Sequence, residues 1–433
     1  MPSGSAAPSA VTAAAAAASA ALPELYNAVE EVRDQIRWIL DQENRSTVLY
    51  GTIRTGGADK GQLEDNATGD VWSEDGLFEN GSPENENGSS EAGLPEAGQS
   101  GPEQAGAPEM LEFYFGLSHF SQILRDLDAH YIVYTSKGGK GFSGGFSLHL
   151  YCADPSGHLR ACMKGLTSAV LFSATFLPIQ YYKGLLGGCA GDFEMYARSS
   201  FSPEQRKVVI VSDVTSRYRD RREETYARIA RSIGQIVDCR PGNYIAYFPS
   251  YAFLEKVLEA FCAIRHPAMN GEPDKEGLYV IVQTRDMKDS GREAFLEAFE
   301  QAGNDRRLVG FCVLGGMFGE GIDLRSERLI GSLIVGTGIP PVEPQRELLR
   351  EYFSGQGRNG YDFAYRFPGM NKVLQAAGRV IRTAEDVGIV VLMDDRFSES
   401  SNRELYPLEW GQPESVNSET AAGMIRLFWE NTI

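Results

Sequence analysis

The 433-residue chain has no C-x-x-C pair among its six cysteines, no apolar run of membrane-spanning length and no G-x-x-x-x-G-K-[ST] phosphate loop. Cys152, Cys162, Cys189, Cys239, Cys262 and Cys312 lie scattered in or beside apolar runs. That pattern argues for buried thiols in a reducing, cytoplasmic setting and against a zinc site or a disulfide framework. A span needs about twenty consecutive apolar residues, so no membrane partner is expected. Met1–Leu22 is nearly all Ala, Ser and Pro without a basic start, which excludes a signal peptide and suggests a flexible leader. No G-x-G-x-x-G turn follows the first strand pattern, which sets aside a dinucleotide enzyme of small-molecule metabolism.

Positive charge is also short, with a formal net charge of -18. Such a balance opposes nucleic-acid binding, because phosphates need Lys and Arg where the strand lies. The distribution weakens the objection. Gly57–Met110 carries thirteen acidic residues against Lys60 alone, so about two thirds of the excess sits in one aperiodic stretch that reads as a disordered insertion.

What remains is patterned. Leu25, Val29, Val32, Ile36, Ile39 and Leu40 recur at helical spacing within Pro23–Glu43, a helix with nothing evident to pack on, and Met110–Leu127 resumes the pattern. Short β-branched runs then alternate with helical stretches, the mark of a parallel sheet covered on both faces. Strands are expected at Ala169–Phe172, Val208–Ser212, Tyr244–Phe248, Leu278–Gln283, Leu308–Leu314, Leu329–Val335 and Gly388–Met393. Helices are expected at Arg219–Ile236, Tyr251–Arg265, Arg292–Gln301, Pro344–Tyr352 and Asn371–Thr383. From about residue 200 onward this amounts to one doubly wound α/β domain, with its functional edge in the loops after the strands.

Three stretches carry chemistry. In Gln375-Ala-Ala-Gly-Arg379-Val-Ile-Arg382, a helix would set Gln375, Arg379 and Arg382 on one face. Two planar guanidinium forks suit charge on a transferring phosphoryl group; a solvated helix face is the plainer alternative. Val313-Leu-Gly-Gly316-Met-Phe-Gly-Glu320-Gly321-Ile-Asp323 follows a strand, and its backbone amides can hold phosphate oxygens while Glu320 and Asp323 orient a partner. A simple turn is its alternative. In Val170-Leu-Phe-Ser173-Ala-Thr175-Phe-Leu-Pro178 a hydroxyl pair ends an apolar run, and can relay hydrogen bonds or merely cap the next helix.

In this order, and with Phe248-Pro249-Ser250, these stretches resemble motifs III to VI of superfamily 2 helicases, and more narrowly the DinG/XPD branch. The resemblance covers roughly residues 108 to 400 and takes in Leu186-Gly-Gly188 and Asp394-Asp-Arg396-Phe397. It implies a RecA-like P-loop NTPase-type domain, Arg379 and Arg382 as arginine fingers, Gln375 as a nucleotide sensor, and Glu320, Gly321 and Asp323 in a loop joining ATP state to DNA grip. Ser173 and Thr175 would couple hydrolysis to movement, and Phe248, Pro249 and Ser250 would lie along single-stranded DNA. ATP and Mg2+ would be shared with a first motor domain whose phosphate loop and Asp-Glu-Ala-His box this sequence does not contain. Gly138-Gly-Lys140-Gly141 lacks the hydroxyl residue and is no substitute. The four iron-sulfur cysteines of some members are lacking too, so no such cluster is expected.

The organisation this implies is an Ala-rich leader over 1–22, a helical arch remnant over 23–56, the acidic insertion over 57–108, the end of the arch with a stub of the first motor domain over 109–199, and a second motor domain over 200–433. A separate chain carrying the first motor domain is one expected partner. The rival reading is a non-catalytic RecA-like module that grips nucleic acid or a protein.

Overall fold

A computed structural model describes residues 22–40, 107–137, 146–269, 277–300, 306–319 and 329–432, in two compact units, Met1–Tyr151 and Cys152–Ile433. In the first unit, helix α1 (22–40) is joined to α2 (Ala107–Arg125) by a hydrogen bond from Ser121 Oγ to Glu30. Val29, Ile36 and Leu124 are buried, so the apolar stripe that had no evident partner in the sequence has α2 beside it. Strands β1 (Tyr131–Lys137) and β2 (Phe146–Cys152) pair as a two-stranded sheet. Residues 57–106 of the acidic insertion and Gly138–Gly141 lie outside the described residues.

The second unit opens with helices α3 (Ser156–Met163) and α4 (Ile179–Leu185). It then builds an eight-stranded sheet. Its strands are β3 (Arg206–Val211), β4 (Gly242–Phe248), β5 (Ala268–Met269), β6 (Leu278–Val282), β7 (Arg307–Val313), β8 (Gly331–Val335), β9 (Gly388–Met393) and β10 (Glu414–Val416). They lie in the order β10-β3-β9-β8-β4-β7-β6-β5, and every pairing is parallel. Parallel neighbours need crossovers, and the helices supply them on both faces. The period of two sorts the side chains. Val209, Val211, Tyr244, Phe248, Val391 and Met393 share one core with α5 (Glu223–Val237), α6 (Tyr251–Arg265) and α11 (Ser418–Thr432). Ile210, Tyr247, Cys312, Ile334 and Leu392 share the other with α7 (Asp289–Glu300) and α9 (Phe367–Ala377). This is the α/β, two-faced parallel architecture expected of a RecA-like domain.

Several expectations need correction. Ala169–Phe172 is not a strand, and Val170 and Phe172 are 82% and 88% exposed. No described strand lies beside it, and a strand without a ladder partner leaves its backbone groups unpaired. The arginine-bearing helix stops at Ala377 rather than Thr383. Gly378 caps it, and the Asp386 carboxylate accepts the backbone N–H groups of Arg382 and Thr383 at 2.7 Å each. Those amides then have a partner outside the helix, and the β-branched Val380 and Ile381 turn into the core. Of the six thiols only Cys312 is fully buried; Cys162 and Cys189 are exposed. Strand β10, helix α11 and a π-helical turn at Asp362–Arg366 had no counterpart in the expected elements.

Candidate functional site

The carboxyl ends of the central strands bring the glycine-rich loop and Arg379 together. After β7 the chain turns at Leu314, whose N–H donates to Phe248 O at 2.8 Å, and closes on itself through Gly316 and Gly319. Gly315 has φ +75°, and a Cβ there would sit 2.8 Å from the Lys372 side chain on α9. The turn thus needs glycine both for its backbone and for the lysine that lies over it. Gln283, just past β6, braces the same loop: its Oε1 accepts from Val313 N and its Nε2 donates to Tyr251 Oη, both at 2.9 Å. Neither Lys372 nor Gln283 belongs to a recognisable pattern, so neither was legible beforehand.

Arg379 reaches the far end of this loop. Its Nε and Nη2 donate to Gly319 O at 3.2 and 3.0 Å. Beneath them Tyr247 is fully buried and its hydroxyl donates to Phe318 O at 3.1 Å. Burial raises the Tyr247 phenol well above its ordinary value, while the positive charges of both Arg379 and Arg382 act against that rise. Because α9 ends at Ala377, Arg379 and Arg382 do not share a helix face with Gln375. Gln375 remains in the last turn of α9, half-buried. Glu320, Gly321 and Asp323 lie outside the described residues.

The other expected positions behave differently. The Phe248 ring is fully buried and stacks on Phe311 with centroids 5.2 Å apart, so it cannot touch a strand. Pro249 and Ser250 reach the surface in part, and Ser250 caps α6 by accepting from Phe253 N at 3.3 Å. Ser173 Oγ accepts from Thr175 N at 3.2 Å and lies 3.4 Å from Thr175 Oγ1, a local turn on an exposed segment.

Asp394 has no solvent exposure. It accepts from Ser216 N and Oγ at 2.8 and 2.7 Å, and from Arg396 N, Nε and Nη2 at 3.1, 2.7 and 2.9 Å. Burial works against the Arg396 charge, but the hydrogen bond and charge of Asp394 outweigh it and hold the guanidinium above its usual value. Asp395 pairs instead with Arg217, whose Nη2 also meets Glu399, both at 2.9 Å. These carboxylates tie the end of β9 to the loop after β3. Among the described residues no three His, Cys, Asp or Glu side chains converge as a metal site.

Residues 233–412 match the family described as Helicase C-terminal domain. A Methanocaldococcus jannaschii protein named "Probable ATP-dependent helicase" is 24% identical over 299 residues, 67% of this chain and 42% of that protein. The Schizosaccharomyces pombe general transcription and DNA repair factor IIH helicase subunit XPD is 28% identical over 61% of this chain and 34% of its own length. The human regulator of telomere elongation helicase 1 is 31% identical over 45% and 16% respectively. A solved apo XPD structure superposes with TM-score 0.49 at 21% identity, over 72% of this chain and 59% of that one; the fold assignment rests on the sheet itself. The alignments span less than half of each of these sequence relatives. Residues 233–412 thus match the helicase C-terminal domain, and the chain is similar there to XPD-like helicases.

Proposed function

We infer that residues 200–433 act as the second motor domain of an ATP-dependent DNA helicase, offering Arg379 and Arg382 to a nucleotide held by a first motor domain. The observation that carries this reading is the seating of the Arg379 guanidinium on the loop after β7, where it donates to Gly319 O, with Arg382 three residues further on. An arginine fork held in place by a backbone carbonyl is pre-organised, and little freedom is lost when it meets phosphate. ATP, when bound, supplies the γ-phosphoryl group that passes to water. The chain's own part is electrostatic: the two guanidinium groups stabilise charge on the transferring oxygens, and Gln375 lies one turn before Arg379 to sense the nucleotide. The magnesium ligands and the phosphate loop belong to the first motor domain.

Pro249 and Ser250, at the carboxyl end of β4, are assigned to the edge of a single-stranded DNA track, and the exposed Ser173 with the half-buried Thr175 to coupling between hydrolysis and movement. The test is ATP hydrolysis by this chain with single-stranded DNA, alone and with a first motor domain supplied. The reading expects no turnover alone and DNA-stimulated turnover on addition. Turnover by the chain alone, or none after addition of a domain shown to bind ATP, would overturn it.

A further inference from the structure

Four arginines fall within six residues in the loop after β3, Arg217-Tyr218-Arg219-Asp220-Arg221-Arg222, in a chain of net charge -18. Arg217 is taken up by Asp395 and Glu399. The others are placed differently. Arg221 Nε donates to Ser216 O at 3.2 Å, and its guanidinium lies between two rings, 5.3 Å from Tyr218 and 5.2 Å from Phe253. Phe253 is buried at the start of α6. Arg221 is thereby fixed from beneath and serves as a base for Tyr218, which is 85% exposed. A tyrosine held on a guanidinium and open to solvent is an unoccupied stacking surface. Arg219, 79% exposed and in contact with Asp220 at 3.3 Å, and the exposed Arg222 stand beside it.

A second aromatic–arginine pair continues this surface. Tyr251, two residues before Phe253 on α6, carries Arg285 over its ring at 5.2 Å, and its hydroxyl is bonded to Gln283, at the end of β6. All of these residues follow the carboxyl ends of strands, where ligands of open parallel sheets bind. Two alternatives fit poorly. A buried structural role would not leave Tyr218 exposed, and a protein-docking patch would have an apolar centre depleted of charge, whereas Arg219, Asp220 and Arg222 surround Tyr218 here. Rings interleaved with arginine are what a flexible polyanion with flat, stackable units requires.

We propose that the Tyr218–Arg222 loop, continued by Tyr251 and Arg285, is a base-stacking and phosphate-binding platform for single-stranded nucleic acid. This rests on the motor-domain reading and adds to it a specific contact surface outside Pro249 and Ser250.

The test is fluorescence anisotropy of the full chain with labelled oligo-dT and oligo-rU twenty-mers and a matched duplex. Tyr218→Ala is expected to weaken single-strand binding roughly tenfold, within the range for one stacked base, Tyr218→Trp to restore it, and duplex binding to change little. Arg219→Glu with Arg222→Glu should weaken binding further and lower the slope of log affinity against log salt by about 1.4, as for two lost phosphate contacts on a single strand. Arg426→Glu is a charge-reversal control away from the loop, expected to cost far less than the double variant: Arg426 lies near Cys239, which precedes β4, at the amino ends of the strands. Oligo-dT and oligo-rU affected alike would mean the platform reads stacking and phosphate only; loss confined to one would assign it to DNA or to RNA. Wild-type binding with Tyr218→Ala and the double variant unchanged would overturn the platform and leave the motor-domain reading standing. No binding by the wild-type chain would overturn both.

Discussion

Replacing Asp394 with alanine should be among the most damaging single changes in the second unit. The carboxylate is wholly buried and accepts five hydrogen bonds, three of them from Arg396. Its loss leaves the Arg396 guanidinium, whose side chain is 18% exposed, with only Ser216 Oγ at 2.7 Å as a described partner, and leaves Ser216 N without an acceptor. Breaking a buried ion pair from one side costs about 3–5 kcal/mol, because the remaining charge stays desolvated. That is a large part of a typical stability of roughly 5–15 kcal/mol. Urea unfolding followed by the emission of Trp410 and Trp429, both largely buried in this unit, measures it. Removing both charges, Asp394→Leu with Arg396→Met, should recover at least half of the loss, since apolar replacement of a whole pair is often neutral. A cost below about 1 kcal/mol for Asp394→Ala, or a double variant worse than the single one, would refute the assignment of the pair as a buried structural tie.

Gly338→Ala should cost about 2 kcal/mol or more in the same assay, because Gly338 has φ +68° and a Cβ would sit 2.4 Å from Gly369 O. A smaller cost would mean that the loop after β8 yields without disturbing α9. The Tyr196 hydroxyl donates to Glu409 at 2.5 Å; burial and this bond push the phenol up to about 12 from an ordinary 10. A raised folded value means that its contribution is whole below pH 10 and fades as pH climbs toward 12. Tyr196→Phe should flatten that part of the stability profile, and an unchanged alkaline slope would contradict the geometry. Glu409 is desolvated too, but bonds from Tyr196 and Ser199 N hold its carboxyl below the usual range, so its contribution fades as pH falls through the acid range.

Periodicity alone located β3, β4, β6, β7, β8 and β9, because a strand buried on both faces reads as an unbroken apolar run. Tyr251–Arg265 was exact since Ser250 is a strong cap and Arg265 precedes a left-handed His266. The end of α9 was not legible: the Gln-x-x-Gly-Arg-x-Ile-Arg spacing fits a continuing helix, and only the Asp386 carboxylate, brought back by a turn, stops it. Ala169–Phe172 failed for the opposite reason, since composition specifies a willing strand but not its neighbour. Phe248 read as a surface residue because its Pro-Ser sequel resembles a helicase motif, yet its place in the period of β4 turns the ring inward. Lys372 and Gln283 reach the loop after β7 only through the fold, and no local pattern marks residues that meet across strands.

The central claim is that Arg382 and Arg379 act on the transferring phosphate, and it is tested most directly by steady-state ATP hydrolysis with a first motor domain and saturating single-stranded DNA. Arg382→Ala and Arg379→Ala are each expected to lower kcat by roughly a thousandfold or more, the usual effect of losing an arginine finger, with KM for ATP changed far less. Arg382→Lys should recover little, because a point charge lacks the planar fork. Equal kcat in the variants and the wild-type chain would contradict the account.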